Sequence, residues 1–569
     1  MSSLRKPAAG PVVGHTTSRS CRIWIAAGDP GGGEGGFPSE NFRTIGVIAL
    51  YDEQSKCVPK DKVYYFRLKR EYDRTGTFNL GKDVSLWKDE QSRGTPVPLL
   101  PDSRYTVRLS TLALDDSFDN DFIVESEYIA ERLPHPGVWA EALEKRDDLY
   151  AEASFVTAPQ TPPGETTEIS FLIGSCRYPG INVWKRKDSD RIFRPMWQRH
   201  ADARFVMMLG DQIYADLLNR MIEIGRADSY KEFQDRYRDA FTSPHMCALL
   251  RRIPVYMTLD DHEIEDNWTQ DRIRNAAKRE LFNIAIGFYM SYQRSHGPRF
   301  EDGYASGRKM EGSDVCFSHN SLIRLFYDFN CGGYPFFVLD TRTQRYKDEM
   351  PGLKDNHMLG RPGMHVGEPS QIDYLCAWLR HMQHDVGDAP KFIGTSSVFV
   401  PNTVTSTLSD LHKEKSDAWD AFPDTRRKIL KTILDHNVQN VVFLSGDVHC
   451  AHVAELFYDA RPELKSYSVT SSAFHWPFPF ADGNPSDFVH NSKDPCTPDS
   501  FFIGDNYGHM DYESWGYAQD NNFCRLTVTP GTCELRAQFF DANGSPLKRV
   551  GRNGHTLSDA PETLPLATW

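Results

Sequence analysis

The chain has 569 residues, enough for a large core and more than one domain. Hydrophobic content of 40% and charged content of 25% are ordinary for a globular protein, and 12% aromatics is somewhat high. A formal net charge of -13 argues against non-specific binding to nucleic acid or anionic membrane, both of which need a positive field.

The opening residues Met1-Ser-Ser-Leu-Arg-Lys-Pro-Ala-Ala-Gly10 contain no apolar h-region and no twin arginine. No window approaches ~18 uninterrupted apolar residues, so no membrane span is expected. The 11 cysteines are scattered, odd in number and without a C-x-x-C pair, which favours reduced thiols in a cytoplasmic protein. The residues from Gly10 to Ile25 suggest a short strand, a turn and an alternating strand through Cys21, Ile23 and Ile25. A Gly/Pro-rich loop at Gly28–Pro38 precedes strand-like runs at Thr44–Tyr51 and Val63–Leu68. A turn after Leu99 then feeds an alternating strand that starts with Tyr105, as at the corners of immunoglobulin- and fibronectin-like sandwiches. Residues 10–157 are therefore expected to form an N-terminal β-sandwich, with a mixed helical insertion near Pro134–Asp147 and a linker at Pro159–Gly164.

From Glu168 the pattern changes to strands alternating with amphipathic helices, the signature of an α/β domain, assigned here to residues 168–545. Strands are predicted at Ile169–Ile173, Phe205–Leu209, Val255–Leu259, Phe336–Leu339, Phe392–Ile393 and Val441–Leu444. Helical patterns lie near Asp188–Arg199, Tyr230–Phe241, Asp271–Tyr292, Pro369–Gln383 and Asp424–Asn437. Phe523–Phe540 alternates as two strands around Pro530-Gly-Thr.

The strand ends share a chemistry. They run into Gly174-Ser-Cys-Arg177, Gly210-Asp-Gln-Ile-Tyr214, Asp260-Asp-His-Glu263, Asp340-Thr-Arg342 and Ser445-Gly-Asp-Val-His449. Ligands of open α/β sheets bind beyond the carboxyl ends of strands. Thiolate, phenolate, carboxylate and imidazole delivered to one such face suit metal ligation. One such ending alone would be an ordinary turn, since Asp and Gly are common there. A tyrosinate ligand must form from a phenol of pKa ~10, which favours a strongly Lewis-acidic ion such as Fe(3+).

These motifs resemble those of calcineurin-like metallophosphoesterases and, more narrowly, of PhoD-type alkaline phosphatases, in colinear order from Glu168 to Phe540. The resemblance implies a four-layer αββα core behind an immunoglobulin/fibronectin-like β-sandwich, and a dinuclear or trinuclear site holding Fe(3+) and Ca(2+). Carried over residue by residue, Cys176, Asp211, Tyr214 and His449 form the iron shell, with Asp211 as the bridging ligand. Asp261 and Asp447 stand where many relatives place Asn and His, which hardens the second site toward calcium, magnesium or manganese over zinc. The implied activity is hydrolysis of phosphate mono- and/or diesters by a metal-activated hydroxide. His262 then stabilises the transition state or protonates the leaving oxygen, unless it merely orients a carboxylate, and Arg342 offers a fork to the phosphate.

Several residues stay open at this level. Asp216 either favours a helix N-terminus or joins the calcium site, Asn267 caps or orients a loop, and Asp340 with Arg342 forms a local ion pair. His475, Trp476, Tyr507 and His509 lie in late aromatic loops that would wall a pocket, and Ser295–Asn320 and His357–Glu368 are candidate lids. A cysteine phosphatase fits less well because no arginine follows Cys176 at the C-x5-R spacing, and neither a Gly-x-Ser-x-Gly elbow nor a Walker motif is present. The non-enzymatic rival is a binding or structural module on a catalytically retired metallophosphatase fold.

Overall fold

The computed structural model describes residues 4–28, 42–52, 55, 57–87, 96, 98–115, 129, 131–179, 189–216, 225–299, 324–347, 356–360, 370–404, 414–477, 485–551 and 554–569. Most of the loop expected at Gly28–Pro38, and both candidate lids beyond residues 299 and 360, lie outside this set. The chain divides into two compact units. The first comprises Met1–Gln160, Tyr230–Tyr256 and Gly287–Gly297, and the second Thr161–Ser229, Met257–Ile286 and Pro298–Trp569.

The first unit holds β1 (Leu4–Arg5), β2 (Ala9–Thr16), β3 (Cys21–Ala26), β4 (Phe42–Asp52), β5 (Val63–Arg67), β6 (Thr75–Leu80), β7 (Arg104–Asp115) and β8 (Ala151–Val156). One sheet runs β1-β7-β4-β5 with β8 added on β7, and the other is β2-β3-β6. Alternation decides which core each side chain joins. On β4, Ile48 and Leu50 join Ile23, Phe78, Val107 and Phe155 between the sheets, whereas Val47, Ala49 and Tyr51 join Leu112 and Leu143 on the opposite face. The Tyr105 hydroxyl accepts from Leu100 N at 2.9 Å, tying the strand start back to the turn before it. The helix Tyr230–Thr242 belongs to this unit, where Phe241 and Tyr292 close on Trp24 with ring centroids 5.6 and 5.1 Å away.

The second unit begins with β9 (Ile169–Gly174), β10 (Val206–Leu209) and β11 (Val255–Thr258), the last shared at the unit boundary. Next come β12 (Tyr327–Cys331), β13 (Tyr334–Val338), β14 (Lys391–Thr395), β15 (Val441–Ser445), β16 (Ala451–Tyr458) and β17 (Ser466–Ser471). It ends with β18 (Phe501–Gly504), β19 (Gly508–Ala518), β20 (Asn522–Thr529), β21 (Glu534–Asp541) and β22 (Glu562–Pro565). They form one six-stranded sheet, β11-β10-β9-β20-β21-β22, and one eight-stranded sheet, β12-β13-β14-β15-β17-β16-β19-β18. β9 and β10 are parallel, as are β13, β14, β15 and β17, with Thr395 level with Ser445. Their carboxyl ends therefore share one end of each sheet. Between the sheets Phe171 meets Phe336 and Phe392 edge-on at 5.3 and 5.2 Å. The helices Gln371–Val386 and Pro423–Asp435 bury Leu375, Trp378, Leu379, Ile429 and Ile433 with the eight-stranded sheet's Phe337, Ile393 and Phe443.

The expected helix Asp271–Tyr292 is split into a 3-10 turn over Gln270–Arg274 and a helix over Ala276–Tyr292. Asn275 breaks it. Its backbone is extended, and its Oδ1 accepts from Ala277 N at 2.9 Å and Lys278 N at 3.2 Å, the work of an N-cap. The strands β16 to β19 carried no recognisable motif in the sequence. Among the described residues no helix is long and apolar enough to cross a membrane.

Candidate metal centre

The site grows from strand ends that are tied to one another through backbone. After β9, Cys176 N donates to Gly210 O at 3.1 Å and Arg177 N to Asp211 O at 2.8 Å, joining the first two motifs. The loop after β17 attaches next, with Phe474 N on Ser175 O at 2.7 Å and Tyr178 N on His475 O at 3.0 Å. Glu263 anchors the third motif. Its carboxylate accepts from Asp211 N at 3.1 Å, Gln212 N at 2.7 Å and Asp260 N at 2.9 Å. Gly210 turns at φ +100°, and a side chain there would collide with Asp260.

Cys176, Asp211, Asp447 and His449 adopt φ of 55°, 57°, 74° and 51°, a left-handed conformation that non-glycine residues rarely take. Such strain gathers at functional sites and persists only where the surroundings enforce it. These four residues are all sequence-predicted ligands.

The predicted residues converge. Cys176 Sγ lies 3.3 Å from Asp211 Oδ2 and 3.7 Å from the Asp447 carbonyl, and Tyr214 Oη lies 3.5 Å from His449 Nε2. Asp211, Asp261 and His262 each bring a ligand atom within 4.8 Å of the others. His262 Nδ1 lies 2.7 Å from Asp216 Oδ1, and Asp216 also accepts from Asp266 N at 2.5 Å. Asp216 is thus the orienter of His262, leaving Nε2 as the nitrogen available for chemistry. Asn267, at φ 55°, donates its backbone N–H to Asp261 Oδ2 at 2.5 Å and so orients a predicted ligand.

Arg342 differs from expectation. Its side chain is 0% exposed, and its guanidinium meets Asp260 at Nε, with Asp261 at 3.6 Å and Asp417 at 2.7 Å from Nη2. A fork so enclosed balances the charge of these carboxylates. Asp340 is not its ion-pair partner, because its oxygens cap the turn by accepting from the backbone N–H groups of Arg342 and Thr343. Tyr507 and His509 lie elsewhere: Tyr507 bonds Asp435 at 2.7 Å, and His509 pairs in sequence register near Tyr458, the end of β16 remote from His449. Trp476 does join the site, stacked on His449 at 3.8 Å.

Asp417 was missed by the sequence reasoning, since it ends no strand and belongs to no motif. It bridges Arg342 and Arg345, and Arg345 in turn holds Thr341 O at 2.8 Å and Ser397 Oγ at 2.8 Å. Ser396, which donates to Asp260 Oδ1 at 2.7 Å, follows β14 directly. Its strand-end position was the available signal.

The electrostatics describe an anionic donor set that wants cations. Burial, then Asp260, pushes the Asp211 carboxyl well above the usual range, and burial, then Asp260 and Asp417, does the same to Asp447. Burial and Asp211 raise the Cys176 thiol, and burial and Cys176 raise the Tyr214 phenol. For Asp261 burial is outweighed by Arg342 and His262, which hold it well below the ordinary value. Burial would favour neutral His262, but Asp216, Asp261 and Asp211 overrule it and favour imidazolium. A bound cation inverts these directions for its ligands, and thiolate, phenolate, imidazole and carboxylate together fit a transition metal beside a harder ion. The residues fit the metals that the resemblance implies.

Comparison with known proteins agrees. A family profile described as PhoD-like phosphatase matches residues 175–494. Alkaline phosphatase D of Bacillus subtilis (strain 168) is 22% identical over 312 residues, 52% of this chain and 48% of that protein. The alignment therefore spans about half the length of that curated relative. A solved structure of PhoD superposes with a TM-score of 0.58 at 15% identity, covering 96% of this chain and 92% of the other. With more than half of its length matched by the profile and its motifs gathered at one end of two sheets, the chain belongs to the PhoD-like phosphatase family.

Proposed function

We propose that the protein is a metal-dependent phosphoesterase that hydrolyses phosphate mono- and/or diesters of small molecules. The observation that carries this is the convergence of Cys176, Asp211, Tyr214, Asp261, Asp447 and His449 around a His262–Asp216 pair. Cys176, Asp211, Tyr214 and His449 would hold Fe(3+), and Asp211, Asp261 and Asp447 would hold Ca(2+), or Mn(2+), Mg(2+) or Zn(2+). Such ions polarise phosphoryl oxygens and lower the pKa of water.

The protein's own groups do the rest. Asp216 fixes the tautomer and orientation of His262, so that its protonated Nε2 donates to the leaving oxygen as the ester bond breaks. Arg342 and Arg345 hold Asp260 and Asp417 and so limit the negative charge around the ligands. The core is proposed as a four-layer αββα arrangement over 168–545, supported by two facing sheets and helices packed on the eight-stranded one. An immunoglobulin/fibronectin-like sandwich over 10–157 is supported by two sheets sharing one core and by the Tyr105 corner bond. A cytoplasmic setting is supported by the free cysteines among the described residues.

The test is elemental analysis of the purified protein together with turnover of 4-nitrophenyl phosphate and bis(4-nitrophenyl) phosphate. Bound iron with turnover of either ester is expected. Metal-loaded protein inert on both would favour the retired binding module. Asp216→Asn should retain metal and slow turnover by roughly 10–100-fold, the usual size for a residue that orients a site group.

A further inference from the structure

We infer that Trp476 is a stacking platform at the metal centre and that the site favours phosphate esters carrying a flat aromatic or heteroaromatic leaving group. This deepens the phosphoesterase reading and rests on it. The indole lies on His449 with ring centroids 3.8 Å apart and planes 15° from parallel. Tyr178 meets the indole edge-on at 5.4 Å and Tyr214 edge-on at 5.1 Å, and Tyr214 stacks on His262 at 4.2 Å. The rings thus form a continuous wall from a predicted metal ligand to the predicted proton donor.

Exposure separates a platform from packing. Tyr178 and Tyr214 are 1% exposed, so their faces are spent inside the protein. Trp476 is only half-buried, and His262 retains 14% of its side-chain surface. The largest ring of the wall is the one that keeps part of its surface, with Tyr214 between it and His262, 6.3 Å from the indole and 4.2 Å from the imidazole. It is also held still: Trp476 N donates to Asn521 Oδ1 at 2.8 Å, and His475 Nδ1 lies 2.6 Å from Tyr178 O. A pre-ordered aromatic face gains stacking energy without ordering cost.

Aryl esters also hydrolyse faster for intrinsic reasons, so the test uses phosphonates, which have no leaving group. Phenylphosphonate should inhibit wild-type protein about tenfold more tightly than methylphosphonate, a difference within reach of one aromatic stack. The ratio should fall to about twofold in Trp476→Leu and recover in Trp476→Phe, with metal content measured on each. Equal inhibition in wild type, or a preference that survives in Trp476→Leu, overturns the inference. Phenylphosphonate quenching of tryptophan emission that is present in wild type and lost in Trp476→Phe supports it even if the Leu variant loses metal, and quenching in neither overturns it. Failure of the phosphoesterase reading looks different: metal-loaded protein turns over no ester, while the phosphonate titration still reads out.

Discussion

Each unit buries acidic side chains, and the two do so in opposite ways. In the first unit Asp73 is 3% exposed and is matched group for group: Arg238 donates from Nη2 at 2.6 Å, Gln234 from Nε2 at 2.5 Å, and the Tyr292 hydroxyl completes it. In the second unit Arg342 is shared among Asp260, Asp261 and Asp417 and reaches Asp447 only at longer range, while Asp211 and Asp447 are driven far up in pKa. A matched buried carboxylate is architecture. A cluster with more negative charge than its neighbours can balance marks a place where something positive belongs.

The contrast can be broken experimentally. Asp211→Asn removes the proposed bridging ligand and should abolish metal binding and turnover together, exceeding the roughly 100-fold loss typical of outer partners; elemental analysis with an aryl phosphate assay reads both. His262→Ala should leave metal near normal while slowing turnover by roughly 10²–10⁴. Loss of metal in that variant would make His262 a ligand instead. Asp73→Ala should leave metal content intact in the folded protein yet lower stability by about 3 kcal/mol, the low end for breaking a buried pair because Arg238 is partly exposed. Denaturant midpoints decide that.

The smallest effect concerns neutral burial. Burial depresses His452 to about 3 and His296 to about 3, and burial with Arg525 depresses His200 to about 4. Below an unfolded value near 6.5 the unfolded chain takes up protons that these folded imidazoles refuse. Stability is therefore full above that pH and is lost as pH falls toward the folded values. Each group should cost about 1.4 kcal/mol per pH unit in that window. Unfolding midpoints between pH 7 and 5 should fall less steeply in His452→Phe than in wild type.

Much of this centre was legible because its residues sit in contiguous motifs at strand ends, where the direction of parallel strands fixes where they arrive. Asp216 was visible as a residue but not as a partner, since only folding places it beside His262. Asp417 was invisible: it contacts Arg342 across a long stretch of sequence and has no local pattern of its own. Arg342 was visible, but its carboxylate surroundings were not, so it read as a phosphate fork. The helix Tyr230–Thr242 shows the matching limit for the fold. Its periodicity announces a buried face of Phe233, Tyr237 and Phe241 but not that Trp24 lies against Phe241 and Phe288 against the other two.

The left-handed backbone at Cys176, Asp211, Asp447 and His449 has a consequence for the proposed metal site. On the metal-dependent reading proposed above, these four unfavourable conformations would cast the coordination shell during folding, before any ion arrives. Selectivity would then follow from a rigid mould rather than from a shell that contracts around its guest. Exchange of one ion for another should change reactivity and occupancy while leaving the backbone amide spectrum of these loops nearly unmoved.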